Sequence, residues 1–408
     1  MNTASGSSAT SPGACLLFAT ADWDTPYWTN KQHTADHLAK AGWQVLYVES
    51  VGLRAPQLGS GTDWHRLWRR LVRGLRGPRR VGAGLWVLSP LVIPFKHHHP
   101  WVRAFNQGYL AWTLSRFLRR QGLAHPMVWT YHPFVLETLD RLQARHNVTT
   151  GPLVYHCVDD LAAIPGIDAT AFNAEERRLL TRADAVFTTS QALFEKCAPH
   201  NPHVHDFPNV VDLEHFGQAF DAGPLPADLQ AIPEPRIGYV GALSDFKVDF
   251  TLLRELAQQR PSWQFVLIGD EREGQRDPVL ADMARLPNVH RLGHRPYQQL
   301  PLYLRGLAVG LLPTRINTYT RSMFPMKYFE YIASGVPVVS TRLAFTETEH
   351  SPLLQVADDA TAFGQAIAAH LAAPRPDRPL CERLVAKNTW KSRLAGMLAH
   401  VFPVTADR

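Results

Sequence analysis

The sequence predicts an α/β protein built as two doubly wound halves that face each other. Two observations carry this. Short apolar runs alternate with helical patterns along almost the whole chain, which implies parallel sheets built from strand–helix–strand units. The runs are apolar throughout rather than every second residue, as expected of strands covered by helices on both faces. A third observation divides the chain: GPLPADLQAIPEP (223–235) interrupts the pattern with proline and glycine and reads as a connection.

In the first half the strand candidates are CLLFAT (15–20), VLYVES (45–50), LWVLSP (85–90), MVWTY (127–131), LVYHCV (153–158) and AVFTTS (185–190). In the second they are RIGYVG (236–241), QFVLIG (264–269), NVHRLG (288–293), VGLLP (309–313) and VPVVST (336–341). Helical patterns such as HTADHLAKAG, AEERRLLTRA and DFTLLRELAQQR lie between them. Two such sheets leave a cleft between the C-terminal ends of their strands, where ligands of these sheets bind.

Composition narrows the class. The 408 residues are 45% hydrophobic and 19% charged, which is ordinary globular usage and excludes disordered and collagen-like chains. The four cysteines include no CxxC pair, which argues against a disulfide scaffold or thiolate zinc site and fits a reducing compartment. The opening MNTASGSSATSPGAC has neither a basic nor an apolar stretch, so no cleaved secretion signal is expected. No apolar run reaches about 18 residues, so no bilayer-spanning segment is expected. There is no GxGxxG, GxSxG or GxxxxGK[ST], so nicotinamide dehydrogenase, hydrolase and P-loop readings lack support.

The net charge of +6 is concentrated. Residues 63–80, DWHRLWRRLVRGLRGPRR, hold seven arginines and one aspartate, and the remaining residues balance. On a helix, Trp64 and Trp68 fall on one apolar stripe, with Arg69, Arg70 and Arg73 beside it. That is the pattern of a helix lying on an anionic membrane surface. A core-packing helix with a solvated basic face is the alternative. Nucleic acid ranks last as a partner, because no nucleic-acid motif accompanies the charge. HHHP (97–100) reads as a loop, and no metal is expected.

Two segments concentrate reactive side chains. In RSMFPMKYFEYIASGVPVVST (321–341), Pro325 opens a helix whose free backbone N–H groups suit a phosphate. Met326 and Lys327 lie in its first turn. Glu330, one turn on, has the reach to accept from two ribose hydroxyls. The alternative is a solvated Lys–Glu pair. In LVYHCVDDLAAIPG (153–166), a buried strand runs into His156, Asp159 and Asp160. A carboxylate there can take a proton from an attacking hydroxyl, as can a histidine, whereas helix capping for the aspartates and a satisfied histidine at a sheet edge for His156 are the alternatives. The loop WDTPYWTNK (23–31) offers Trp28, Asn30 and Lys31, aromatic and amide groups suited to a sugar, unless Trp23 and Trp28 are core.

The 321–341 block resembles the nucleotide-sugar signature of the family-4-like, group 1 glycosyltransferases, P-x-K-x-x-E-Y-x-A-x-G-x-P-V-V. TTSQAL (188–193), FPNVVDLEHF (207–216), IGYVGALSDFKVD (237–249) and LPNVHRLGHRPYQQLPLYL (286–304) resemble further family segments in the same order. The resemblance implies the GT-B fold: two facing Rossmann-like domains with parallel sheets and an inter-domain cleft. It implies that Lys247 and Lys327 bind the donor diphosphate, Glu330 the ribose, and that Gly241 lets the backbone approach the phosphates. His294 and Arg295 would face the base. Ala242 stands where the family often has arginine, and Ser322 where it has its first glutamate.

LVYHCVDD and DWDTPYWTN (22–30) are also similar to segments of the xanthan-type glucuronosyltransferases, which share the Met-Lys pair. That similarity implies Asp159 as general base; in retaining relatives a histidine after the equivalent strand points at the sugar, which maps to His156 and makes it a partner. The implied organisation is a disordered tail (1–13), an N-terminal acceptor-binding domain (14–215), a linker (216–235), a C-terminal nucleotide-sugar-binding domain (236–380), and a C-terminal helix crossing back to the first domain (381–408). The implied activity is transfer of a sugar from a nucleotide diphosphate sugar to a lipid-linked or polysaccharide acceptor, in cell-surface polysaccharide synthesis at the cytoplasmic membrane face. The donor is a substrate, and no cofactor is implied. A GT-B epimerase and a catalytically silent carbohydrate-binding protein are the rival readings.

Overall fold

The computed structural model describes residues 13–25, 28–50, 77–91, 99–164, 166–271, 277–321 and 323–403. Among them, the strands form two sheets. The first runs in the order β3-β4-β2-β1-β5-β6-β7-β8: β1 Ala14–Phe18, β2 Gln44–Val48, β3 Arg79–Gly82, β4 Leu85–Leu88, β5 Met127–Thr130, β6 Leu153–Cys157, β7 Ala185–Thr188 and β8 Val204–Asp206. Only the β3–β4 edge pair is antiparallel. The second sheet is parallel throughout, in the order β11-β10-β9-β12-β13-β14: β9 Arg236–Val240, β10 Gln264–Ile268, β11 Val289–Gly293, β12 Val309–Leu312, β13 Val338–Ser340 and β14 Leu354–Val356. The order reverses between β1 and β5 in the first sheet and between β9 and β12 in the second. These switch points open crevices at the carboxyl ends of the strands.

The eleven expected strands all form; ten are apolar runs that bury on both faces, and β11, with His290 and Arg291, is a half-exposed edge. Arg79 and Arg80, expected at the end of a helix, instead lie on the exposed edge strand β3. The rest of the Arg-rich stretch, with Trp64, Trp68, Arg69, Arg70 and Arg73, lies outside the described residues.

Two boundaries move. The expected linker 216–235 is part of the second half. It takes in the end of helix Leu213–Gly217 and all of helix Ala227–Gln230, and its Phe216, Leu229 and Ile232 are buried in the core around β9 and β12. The crossing helix begins later than residue 381. Helix Arg378–Val385 packs Cys381 and Val385 into the second half. Helix Trp390–Val401 buries Leu394 and Met397 among Leu17, Val45 and Phe187 of the first. The two passages between the halves run side by side, with the Val211 amide donating to the Asn388 carbonyl at 2.9 Å. Among the described residues, no helix is long and apolar enough to cross a membrane.

Candidate functional site

The loop after β1 leads into helix Asn30–Lys40. Gln32, fully buried, braces that loop: it accepts from the Thr29 amide at 3.0 Å and donates to the Asp22 carbonyl at 2.9 Å. This sets Trp28, Asn30 and Lys31 at the carboxyl end of the first sheet. Asn30 and Lys31 are buried. Trp28 stacks on Tyr297 of the second half, ring centroids 6.3 Å apart and 17° from parallel. Tyr297 also stacks on His215 at 4.2 Å. Its buried hydroxyl has no hydrogen-bond partner among the described residues, an unmet need that a ligand can fill.

The two aspartates after β6 separate cleanly. Asp160 pairs with Lys196 at 2.8 Å; Lys196 also meets Glu176, which accepts from Tyr155. That is structural bracing under helix Ala169–Arg182. Asp159 is half-buried and faces the other half of the molecule. Lys31 Nζ lies 3.7 Å from its Oδ2, and the Tyr319 hydroxyl donates to its Oδ1 at 2.9 Å. Tyr319 follows β12 on the opposite sheet, and its ring lies 4.8 Å beneath Lys247 Nζ. One aromatic side chain thus joins the candidate base to a candidate phosphate-binding lysine.

His156 is placed differently from the expectation. It sits within β6, fully buried. Its Nδ1 is 3.1 Å from the Tyr131 hydroxyl and its Nε2 is 3.1 Å from Arg393. A guanidinium only donates, so Nε2 accepts and Nδ1 carries the proton. Burial, with Arg393 and Lys31 nearby, pushes its pKa well below the usual imidazole range. His156 is a neutral core group that positions its neighbours rather than a group at the cleft surface.

On the second half, helix Met326–Ala333 starts directly after Pro325. The Tyr331 hydroxyl accepts from the Val240 amide at 2.9 Å and holds this helix against the end of β9. Gly241, at the β9 carboxyl end, has φ +145°, and a Cβ there would stand 2.1 Å from Lys327 Cε. The glycine therefore makes room for Lys327, whose Nζ lies 5.8 Å from the Tyr239 ring. Glu330 is half-buried; burial raises its carboxyl to about 6, and Lys327 opposes that rise. Met326 Sδ lies 3.9 Å from Asn30 Nδ2.

His294 and Arg295 follow β11. The Arg295 guanidinium is bound to Asp228 and, at 2.6 Å, to the Tyr303 hydroxyl. This pairing ties the loop to helix Ala227–Gln230.

A polar relay crosses the seam. Arg393 donates to Asn30 at 2.6 Å, Asn30 to Asn209 at 2.8 Å, and Asn209 to the Phe324 carbonyl just before the Lys327 helix. Sequence reasoning missed Arg393, Tyr297 and Tyr319. Tyr297 lay within the segment 286–304 that the family resemblance singled out, and Tyr319 follows a strand end at the switch point. Among the described residues, no cluster of His, Cys, Asp and Glu is arranged to hold a metal ion.

The glycosyl transferases group 1 family matches residues 234–373, which covers β9 to the helix after β14. The chain is 30% identical over 213 residues to the putative teichuronic acid biosynthesis glycosyltransferase TuaH of Bacillus subtilis, an alignment covering 49% of this chain and 53% of TuaH. The chain thus spans about half the length of the curated relative it matches. In three dimensions it is similar to a sucrose-phosphate synthase from Thermosynechococcus elongatus, with TM-score 0.67, 17% identity, and 94% and 97% of the two chains covered. It is also similar to HepE of Anabaena in complex with UDP-glucose, with TM-score 0.62, 15% identity, and 95% and 99% covered. A further match is the Escherichia coli trehalose-6-phosphate protein bound with UDP-2-fluoro glucose, with TM-score 0.64, 13% identity, and 96% and 100% covered. Residues 234–373 are accordingly a group 1 glycosyltransferase domain, carried in a chain with the GT-B fold.

Proposed function

We propose that this protein transfers a sugar from a nucleoside diphosphate sugar, with UDP as the nucleotide, to a lipid-linked or polysaccharide acceptor of the cell envelope. The observation that carries the reading is the grouping at the β9 end of Gly241, Lys327 and the N-terminus of helix Met326–Ala333. There a diphosphate would meet an ammonium and the positive end of the helix dipole. Lys247 adds a second cation from the loop after β9, and Glu330 accepts from the ribose. HepE with UDP-glucose and the trehalose-6-phosphate protein with UDP-2-fluoro glucose support UDP. TuaH supports an envelope polysaccharide. The acceptor places the protein peripherally at the cytoplasmic face of the membrane.

In the reaction, the acceptor oxygen bonds to the anomeric carbon while the bond from that carbon to the diphosphate oxygen breaks. Asp159 accepts the acceptor's proton. Lys247 and Lys327 stabilise the charge that develops on the departing diphosphate. Lys31 stays beside Asp159 as a compensating charge before the proton moves.

Melting of the purified protein with UDP, GDP or dTDP tests the reading, with Lys327→Ala as control. A ligand that binds only the folded state raises the melting temperature by mass action. The expected result is a rise with UDP that Lys327→Ala abolishes. No rise with any of the three overturns it.

A further inference from the structure

Helix Pro100–Gln121 has two apolar faces, and only one is used. Leu110, Ala111, Leu114, Phe117 and Leu118 pack into the core of the first sheet. On the opposite side Trp101, Phe105 and Trp112 are 59%, 49% and 44% exposed. They are three of the six large exposed apolar side chains among the described residues. Their spacing puts all three on one stripe. Tyr109 fills the gap between them, stacked on Phe105 at 6.3 Å and packed against Trp112 at 5.7 Å.

The stripe continues into charge. Arg116 lies over the Trp112 ring at 5.7 Å, and the exposed Arg119 and Arg120 follow in the last turns. The helix contains no acidic residue. Among the described residues, no carboxylate pairs with these three arginines.

We infer that this face docks on a bilayer surface containing anionic lipid. Amphipathic aromatic rings are the side chains that settle at the headgroup level, and arginine beside them meets lipid phosphates. A protein partner would have to supply an acidic, aromatic-accepting surface. The bilayer supplies both features at once. Topology gives the docking a use. The helix lies between β4 and β5 of a parallel sheet, so it runs antiparallel to the strands, and its Trp101 end is at their carboxyl ends. The pairing of Arg103 with Glu137, just after β5, fixes that end. Trp28, Lys31 and Asp159 stand at the same end of the sheet. A membrane met by Trp101 and Phe105 would lie beside the cleft mouth, from which a lipid-linked acceptor can enter.

Flotation of the full chain with phosphatidylcholine vesicles, alone or mixed with phosphatidylglycerol, tests this. The wild type is expected to float with the mixed vesicles. Trp101→Ser/Phe105→Ser/Trp112→Ser should reduce partition by about tenfold or more without lowering the melting temperature. Should the triple variant melt early, Trp101→Ser alone carries the comparison. Arg119→Gln/Arg120→Gln should weaken binding to the mixed vesicles and reduce its salt dependence. Wild type that does not float, or a triple variant that floats as the wild type does, overturns the inference. So does a dimer in sedimentation velocity that the triple variant abolishes without changing flotation, which would give the face to a second copy. The assay uses no nucleotide, so its failure leaves the donor reading standing, and failure of the UDP melt leaves this one standing.

Discussion

Tyr319 touches both halves of the reaction at once, because its hydroxyl donates to Asp159 while its ring supports Lys247. Tyr319→Phe keeps the ring and removes one charge-assisted hydrogen bond. Steady-state kinetics should show kcat lowered about tenfold or more, with the donor KM little changed. Glu330 gives a prediction with a definite sign. Its folded carboxyl is raised from 4.5 to about 6, so ionising it works against the folded state. Wild-type stability is lost as pH rises through this window, and Glu330→Gln escapes the loss. Urea unfolding above pH 6 should show the variant more stable by about 1 kcal/mol, after allowance for its partial exposure, yet weaker in UDP binding. Lys327 and Glu330 were legible in the sequence because one helical turn relates them. The Tyr319–Asp159 contact spans 160 positions and follows no local spacing. For His156 a strand end was legible but not Arg393, which occupies its Nε2 from 237 positions away.

At the scale of elements, strands with apolar runs were readable, and of the four edge strands only β11 was. β3, β8 and β14 are three or four residues long, and RRVG, VHD and LQV bury little. Proline and glycine around 217–235 mark breaks in regular structure correctly. They do not say that Phe216, Leu229 and Ile232 pack inward, since burial of a short irregular segment depends on what surrounds it. Helix Trp390–Val401 behaves as an element of the first half. Leu394 is 5% exposed there, and Leu394→Ala should cost about 2–4 kcal/mol in a urea melt.

Across the whole molecule, the two halves meet along a seam of stacked rings and amides. Arg393 supplies donors to Asn30, the Phe207 carbonyl and His156, and burial lowers its pKa to about 10. Arg393→Leu removes a costly buried charge but leaves three acceptors unmet. The second effect should prevail, by about 2 kcal/mol in chemical denaturation. The two-half fold was legible from the alternation of patterns, but the seam was not, because its partners come from every part of the chain.

The placement of helix Trp390–Val401 also bears on how the protein is made. Leu394 and Met397 complete the core around Leu17 and Val45, yet a ribosome adds them after all fourteen strands of the two sheets. N-terminal domains ordinarily fold first during synthesis. Here the first sheet must wait, one face incomplete, until translation has passed the second, and its nascent form is the one that chaperones would meet.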